Sequence, residues 1–150
     1  MKNRRIIKYA SLAMAVSSLV AMSSGCAQVV YNDGVYTGKS AVYENEDGST
    51  EGNGYGVVTL TIEGRAITAC EFVTYEPDGT LKDEEYGKQN GEIANRDYYN
   101  KAQKAVAAAS EYAAQLVEKG SIDMVDAISG ATLNYNQFTD AVLDALDQAR

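Results

Sequence analysis

The sequence predicts an α+β domain in which an antiparallel sheet packs with two main helices. Three observations carry this prediction: a pair of strands joined by a glycine-containing turn, an alanine-rich amphipathic helix, and a second amphipathic helix near the C-terminal end. Most of the strands come before both helices, an order typical of α+β folds rather than of regularly alternating ones.

The strands are predicted from β-branched and aromatic residues in alternation. The predicted strands cover residues 35–44, 55–63 and 66–76. In the second strand, Val58, Leu60 and Ile62 share one face. In the third strand, one face is expected to carry Ile67, Ala69 and Val73, and the other face Phe72. Residues 45–54 are predicted as a solvated loop, and Pro77-Asp78-Gly79 as a turn that ends the sheet.

The helices are predicted from apolar residues at three- and four-residue steps. The first covers residues 98–119, with Asp97 as the expected cap and Gly120 as the stop signal; its stripe contains Ala102, Ala105, Ala109, Ala113 and Leu116. Residues 122–127 are predicted as a short extended stretch and residues 128–132 as a turn. The second helix covers residues 133–148, and its apolar face carries Tyr135, Phe138, Val142, Ala145 and Leu146.

The N-terminal segment has the pattern of a secretory signal. Lys2, Arg4, Arg5 and Lys8 precede an apolar stretch over residues 9–22. A retained membrane anchor is the alternative, but the stretch is short for a bilayer crossing of about 20 apolar residues. The predicted organisation is therefore a signal peptide over residues 1–26, a tether over 27–34 and a single small domain over 35–150.

Cys26 follows the small residues Ser23-Ser24-Gly25, which resembles a bacterial lipobox, although Ser23 stands where a leucine is typical. We expect Cys26 to be lipidated and to anchor the mature chain in a membrane, since several acyl chains hold a protein where one does not. Ordinary cleavage after Ala27, with loss of Cys26, is the alternative.

Composition excludes several classes of site. Four of the 13 Lys and Arg residues lie in the n-region whereas all 21 Asp and Glu residues follow it, so the mature chain has a net charge near −12. Such a surface repels nucleic acid. The chain has no histidine, and Cys70 is the only thiol after Cys26, so histidine-based triads and cysteine-cluster metal sites are excluded. Redox chemistry would need a cofactor.

Ser129-Gly130-Ala131-Thr132 lies where the second helix is predicted to start. Small residues allow close approach to the backbone, and the free N–H groups of a first helical turn favour a phosphate. Locally, Ser129 or Thr132 could equally be a helix cap.

The longer segment Asp126-Ala127-Ile128-Ser129-Gly130-Ala131-Thr132 resembles the flavinylation motif of the FMN-binding domain family: Asp, two variable residues, Ser or Thr, Gly, Ala, Thr. That family includes peripheral subunits of the sodium-pumping NADH:quinone oxidoreductase and of ion-translocating ferredoxin complexes, and also free-standing exported lipoproteins. The resemblance covers residues 33–149.

The resemblance implies that Thr132 carries FMN through a phosphoester, which a separate flavin transferase makes from FAD. Asp126 and Ser129 would be recognition or positioning residues, and Gly130 and Ala131 would leave room for the transferase and the phosphate. For Asp126 the alternative is an acid in a surface turn.

Two positions depart from the family pattern. Asn134 stands where a second Thr or Ser is common, and Tyr75-Glu76-Pro77-Asp78-Gly79 replaces a Glu-Thr-Pro-Gly turn, which puts flavin contacts from that loop in doubt. Tyr75 and Tyr86 are candidates for stacking on the isoalloxazine ring, and Lys88 is a candidate cation beside it.

Together these features predict an exported flavoprotein on the outer face of the cytoplasmic membrane, lipid-anchored or secreted. It would act as an electron carrier rather than a stand-alone enzyme, with a redox protein or a quinone-linked membrane partner. The alternative is a lipoprotein that binds FMN non-covalently, or another surface ligand, without a redox role.

Overall fold

The computed structural model describes residues 29–150. The predicted signal segment and Cys26 lie outside these residues. The described chain contains the strands Gly34–Lys39 (β1), Tyr55–Glu63 (β2) and Ala66–Tyr75 (β3), then the helix Arg96–Lys119 (α1), a single turn of 3-10 helix at Ile122–Met124, and the helix Thr132–Gln148 (α2). The predicted α+β class is confirmed.

The sheet is antiparallel throughout, in the order β1-β2-β3. β1 is shorter than the predicted strand, which ran on to Glu44. The Ser40 hydroxyl accepts a hydrogen bond from the Gly56 N–H at 2.9 Å, so a side chain replaces the backbone acceptor of a regular ladder. Pairing returns only as an isolated bridge between Tyr43 and Gly54.

The predicted faces of the third strand are wrong beyond its first residues. Thr61 pairs with Ala69 whereas Ile62 pairs with Ile67, so Thr68 is an extra residue that forms a bulge. One inserted residue changes which face the later side chains occupy. Ile67 is therefore buried as expected, but Phe72 is buried as well and Ala69 is exposed.

α1 begins two residues before the predicted start, and its cap is Asn95 rather than Asp97. The Asn95 side chain accepts the Tyr98 N–H at 3.0 Å, whereas Asp97 lies inside the first turn, where its charge favours the helix dipole. At the other end Gly120 has φ 72° and donates to the Leu116 carbonyl, which confirms the predicted stop.

The predicted extended stretch over residues 122–127 is wrong for its first three residues, since Ile122–Met124 forms a turn of 3-10 helix, whereas Val125 has an extended backbone. Two hydrogen bonds hold it, from the Met124 N–H to the Ser121 carbonyl and from the Val125 N–H to the Ile122 carbonyl. The turn buries Ile122 and Val125. The apolar residues that predicted an extended segment are therefore buried by a compact turn instead.

Both helices cover one face of the sheet. α1 packs on β3, while α2 packs on β1 and β2. Gly38 permits the contact with α2, because any side chain at this position would overlap the Ala141 carbonyl and the Ala145 backbone. The core between the layers contains Val58, Leu60, Ile62, Phe72, Tyr112, Leu116, Phe138 and Val142.

Contacts of the domain begin before β1. The Asn32 backbone N–H donates to the Ala149 carbonyl at 2.8 Å, and Tyr31 packs against the core. The last residues of the predicted tether therefore lie against the C-terminal end of α2. Among residues 29–150, no helix is long and apolar enough to span a bilayer.

Candidate functional site

The motif forms a tight turn between α1 and α2. The Ala131 N–H donates to the Ile128 carbonyl at 3.0 Å, and Gly130 has φ 81°, a conformation that a residue with a side chain rarely adopts. A side chain at position 130 would also approach the Lys104 ammonium. The glycine is therefore required by the backbone conformation of the turn.

The hydroxyl of Tyr112 fixes this turn from the side of the hydrophobic core. It donates to the Ala131 carbonyl at 3.1 Å and accepts the Ile128 N–H at 2.9 Å. Tyr112 is fully buried in α1, and burial raises the pKa of its phenol, which keeps the hydroxyl neutral and able to do both. A core residue thus fixes the position of the turn that precedes α2.

Thr132 is the first residue of α2, and its side chain is exposed. The N-cap position belongs to Ala131, and within the described chain no side chain caps this helix. Neither Ser129 nor Thr132 therefore serves as the cap that local sequence allowed. The first turn of α2 contains no acidic residue, so no carboxylate within that turn competes with a ligand for its N–H groups.

A cavity of about 190 Å³ opens beside Thr132. It lies between the start of α2, one face of α1 and the loops before β2 and after β3. Its lining includes Gly52, Thr74, Lys82, Tyr86, Tyr98, Lys101, Ala105, Gly130, Thr132 and Asn134. The Asn134 amide donates to the Ala105 carbonyl at 2.9 Å, which joins the two helices at this wall.

Lys82 is the buried cation of the cavity. Its side chain is held by a hydrogen bond from Nζ to the Gly52 carbonyl at 3.2 Å, and the ammonium lies 4.8 Å from the centre of the Tyr86 ring. Burial lowers the pKa of Lys82 to about 8, while Glu76 acts in the opposite direction. Burying this charged amine without an acidic partner therefore costs folding free energy, unless a bound ligand interacts with it.

Tyr86 forms the adjoining wall and is itself buried. Its hydroxyl accepts the Gly52 N–H at 3.1 Å, so the backbone of one residue, Gly52, contacts both Tyr86 and Lys82. The Tyr98 ring meets it edge-on, with 6.4 Å between ring centres. Burial, followed by a hydrogen bond with Tyr86, raises the pKa of Tyr98, so the Tyr98 phenol stays neutral and can donate.

Two further lysines from α1 surround the opening. Lys101 lines the cavity, and the Lys104 side chain lies over Gly130. Lys88, Lys119 and Arg150 form ion pairs with acidic side chains, but in residues 29–150 none of Lys82, Lys101 and Lys104 does. In a domain of strongly negative charge, this cluster of unpaired cations makes the surroundings of Thr132 suited to an anion.

The predicted motif residues and Tyr86 fall into two groups. Gly130, Ala131, Thr132 and Tyr86 all line the cavity, whereas Asp126 and Ser129 are exposed and lie outside its lining. Asp126 pairs with Lys119 at 2.6 Å, and its N–H donates to the Gln115 side chain, so it fastens the start of the turn to α1.

Tyr75 and Lys88 are not part of the cavity lining. Tyr75 stacks on Tyr55, with ring centres 5.3 Å apart, and Lys88 pairs with Glu85 at 2.6 Å in an adjoining surface pocket. Of the three side chains considered as flavin contacts, Tyr86 alone borders the space beside Thr132. Cys70 lies elsewhere, and burial raises the pKa of its thiol to about 12.

Sequence reasoning missed Lys82, Tyr98, Lys101, Lys104 and Tyr112. Lys82 lies in a loop without periodicity, so nothing local indicates that it turns inward. The α1 residues carry one available signal: Lys101 and Lys104 are three residues apart, and each is next to a residue of the apolar stripe, Ala102 and Ala105.

The cavity fits part of a flavin mononucleotide rather than the whole of it. Pockets that enclose a complete cofactor-sized ligand have volumes of roughly 300–1,000 Å³, and this one is smaller. The lysines suit the phosphate and the electron-rich edge of the ring, while Tyr86 and Tyr98 offer aromatic surface. A ligand held here would remain partly exposed.

These features define a small α+β domain with a cationic ligand site at a helix start. A family model of the FMN-binding domain matches residues 50–147, and the chain belongs to this family. FMN is its cofactor, and the protein is a flavoprotein.

Two solved structures are similar. A crystal structure of a Clostridium perfringens protein is 21% identical, aligns over 79% of this chain and 88% of that chain, and has a TM-score of 0.58. It supports the fold alone. A solution NMR structure from Clostridium thermocellum is 22% identical over 79% of this chain and 92% of that chain, with a TM-score of 0.40. No curated protein matches the chain.

Proposed function

We propose that this protein is an exported, membrane-tethered electron carrier that holds FMN covalently through a phosphoester on Thr132. The observation that carries the proposal is the exposed Thr132 hydroxyl at an uncapped helix start beside unpaired lysines. A bound flavin phosphate would meet helix N–H groups and the Lys101 and Lys104 side chains together.

Attachment would require a separate flavin transferase. The Thr132 oxygen would form a bond to the flavin-side phosphorus of FAD, the pyrophosphate bond would break, AMP would leave, and the hydroxyl proton would be lost. Thr132 suits this role because it is exposed on a short turn that an enzyme can reach. Gly130 would leave the approach open, and Asp126 and Ser129, which are both exposed, would be recognised by the transferase.

When bound, FMN supplies one- and two-electron chemistry. The chain would attach and orient the flavin and would set its electrostatic surroundings. Because the cavity encloses only part of such a ligand, the ring would stay accessible to a redox protein or a quinone-linked membrane partner. An accessible ring favours a carrier over a stand-alone enzyme.

The attachment is tested by co-expression with a flavin transferase, followed by a denaturing gel viewed for flavin fluorescence. We expect a fluorescent wild-type band, a dark Thr132→Ala band and a fluorescent Ser129→Ala band, even if weaker. Ser129→Ala is the matched control because it removes a hydroxyl three residues away in the same turn. A dark wild-type band, with the transferase active on a control substrate, would contradict covalent attachment.

A second candidate is non-covalent binding of FMN in the same cavity, or of another ligand without a redox role. The lysines and tyrosines could hold an anionic ligand without a covalent bond. In that case Thr132→Ala would bind FMN as tightly as the wild type, and the flavin would separate from the protein in denaturant.

The membrane tether rests on the N-terminal sequence, which lies outside the described residues. We propose lipidation at Cys26 on the outer face of the cytoplasmic membrane. A Cys26→Ala variant is then expected in the soluble fraction, whereas the wild type partitions with membranes. Equal partitioning of the two proteins would count against the lipid anchor.

A further inference from the structure

Lys82 has a position that the fold does not explain. Its ammonium is buried in the cavity beside Thr132, although the chain has 21 acidic residues and could have paired it. Within the described residues its contacts are the Gly52 carbonyl and the Tyr86 ring, both of which also hold its position. A fixed, buried and unpaired cation is a group kept for a ligand charge.

We propose that Lys82 is the residue that sets the reduction potential of the flavin, by offsetting the negative charge that the ring gains on reduction. This inference rests on the proposed attachment at Thr132, which places the flavin at the mouth of the cavity that contains Lys82. Lys101 and Lys104 are more exposed, and the Lys104 side chain lies over Gly130 of the motif turn, where it suits the phosphate instead.

The charge balance explains the direction of the effect. Uptake of two electrons and one proton by an oxidised flavin leaves one additional negative charge on the ring. A cation close to that charge favours the reduced form, and in a partly dry cavity the interaction is much stronger than in water. Lys82 therefore raises the midpoint potential, and its loss lowers it.

Several other charged or titratable groups face Lys82. Glu51 comes from the loop before β2, Glu76 and Tyr86 from the loop after β3, and Tyr98 and Lys101 from α1. The cavity-facing residues of α2 that border it, Thr132, Leu133 and Asn134, carry no charge. Since Lys82 is the deepest cation among these groups, its own titration should respond most to the added flavin charge.

The first experiment compares flavin midpoint potentials by anaerobic titration with dithionite, followed by absorbance. Wild type, Lys82→Gln, Lys82→Arg and Lys39→Gln are co-expressed with the transferase, and intact mass first establishes that each carries flavin. We expect Lys82→Gln to lower the potential, with a shift of roughly tenfold in the reduction equilibrium, or about 30 mV for a two-electron couple. Lys82→Arg should stay near the wild type.

Lys39→Gln removes one positive charge from β1, outside the cavity lining, and is expected to leave the potential unchanged. If Lys82→Gln has the wild-type potential, or if Lys39→Gln lowers it equally, Lys82 has no specific role. Absence of covalent flavin from the wild-type protein would instead refute the proposed attachment, so the two failures are distinguishable by mass.

A second measurement decides the matter even if Lys82→Gln does not fold or load. The Lys82 side chain of the wild-type holoprotein is followed by NMR of ¹³C-labelled lysine, with Lys82→Arg used for assignment. We expect the pKa of Lys82 to rise by about one unit or more when the flavin is reduced, since an added negative charge favours the ammonium. An identical pKa in both redox states would overturn the proposal.

Discussion

At the scale of single residues, Tyr112 links the core to the site. Its ring packs between Phe138 and Tyr135, and its hydroxyl holds both ends of the turn that precedes Thr132. The phenol is therefore both a core residue and the fixed reference for the position of the motif. A hydroxyl with two backbone partners and no water contact is costly to remove.

We expect Tyr112→Phe to destabilise the fold by about 1–3 kcal/mol, because the half-buried Ile128 N–H and the buried Ala131 carbonyl both lose their partner. Flavin loading should also slow, since the turn is no longer fixed. Tyr135→Phe is the control: its hydroxyl bonds only to the Val125 carbonyl, at 3.2 Å and half-buried. Urea denaturation and the rate of flavin incorporation measure the two effects. Equal behaviour of both variants would show that Tyr112 does not position the turn.

At the scale of elements, the contact between β1 and α2 depends on Gly38. The strand crosses the helix where the Ala141 carbonyl and the Ala145 backbone leave no space for a methyl group. Neither backbone can move without displacing Val142 and the core around it. The glycine is therefore needed for close approach and not for a positive φ.

Gly38→Ala is expected to destabilise the domain by about 1–3 kcal/mol, as overpacking at a rigid contact does. Thr37→Ala, at the adjacent exposed position, should change stability by less than about 0.5 kcal/mol. Thermal denaturation of the two variants checks this. A melting temperature for Gly38→Ala within error of the wild type would contradict the described packing.

The elements also show how far the sequence could predict the structure. Alternation and helical periodicity located β2, β3 and both helices, because burial of one face imposes those periods. The Thr68 bulge could not be predicted, since a local insertion into the ladder depends on the partner strand. The cap is Asn95 and not Asp97 because the preceding loop enters the helix at Asn95. The periodicity of apolar residues does not predict where a loop enters a helix.

The site, too, could be predicted only in part from the sequence. The motif residues are contiguous, so Thr132, Gly130 and Ala131 could be found from their order alone. Lys82, Lys101 and Tyr98 come from other elements, and only tertiary packing brings them to Thr132. Tyr75 was predicted near the flavin from its place after the hairpin, but its stacking on Tyr55 lies outside the cavity lining.

At the scale of the whole molecule, Lys82 makes stability depend on pH. Its folded-state pKa is about 8, below the ordinary value of 10.5, so between these values the unfolded chain binds more protons than the folded one. Stability contributed by this group therefore rises with pH from about 8 to 10.5, and below pH 8 the buried charge carries its full cost.

We expect Lys82→Met, which keeps the length and removes the charge, to be more stable than the wild type near pH 7. This advantage should shrink as the pH rises towards 10, because the wild-type amine then becomes neutral. Urea denaturation of both apoproteins across this range isolates the effect from the other titrating groups. An advantage that does not change with pH would mean that Lys82 has an ordinary pKa.

The central claim is that Thr132 is the attachment point of the flavin, and intact-mass spectrometry with peptide fragmentation tests it most directly. Protein co-expressed with the transferase should gain the mass of FMN less one water, and fragmentation should place that addition on Thr132. The Thr132→Ala protein should show no addition. An unmodified wild-type mass, or an addition located on Ser129 or any other residue, would contradict the account.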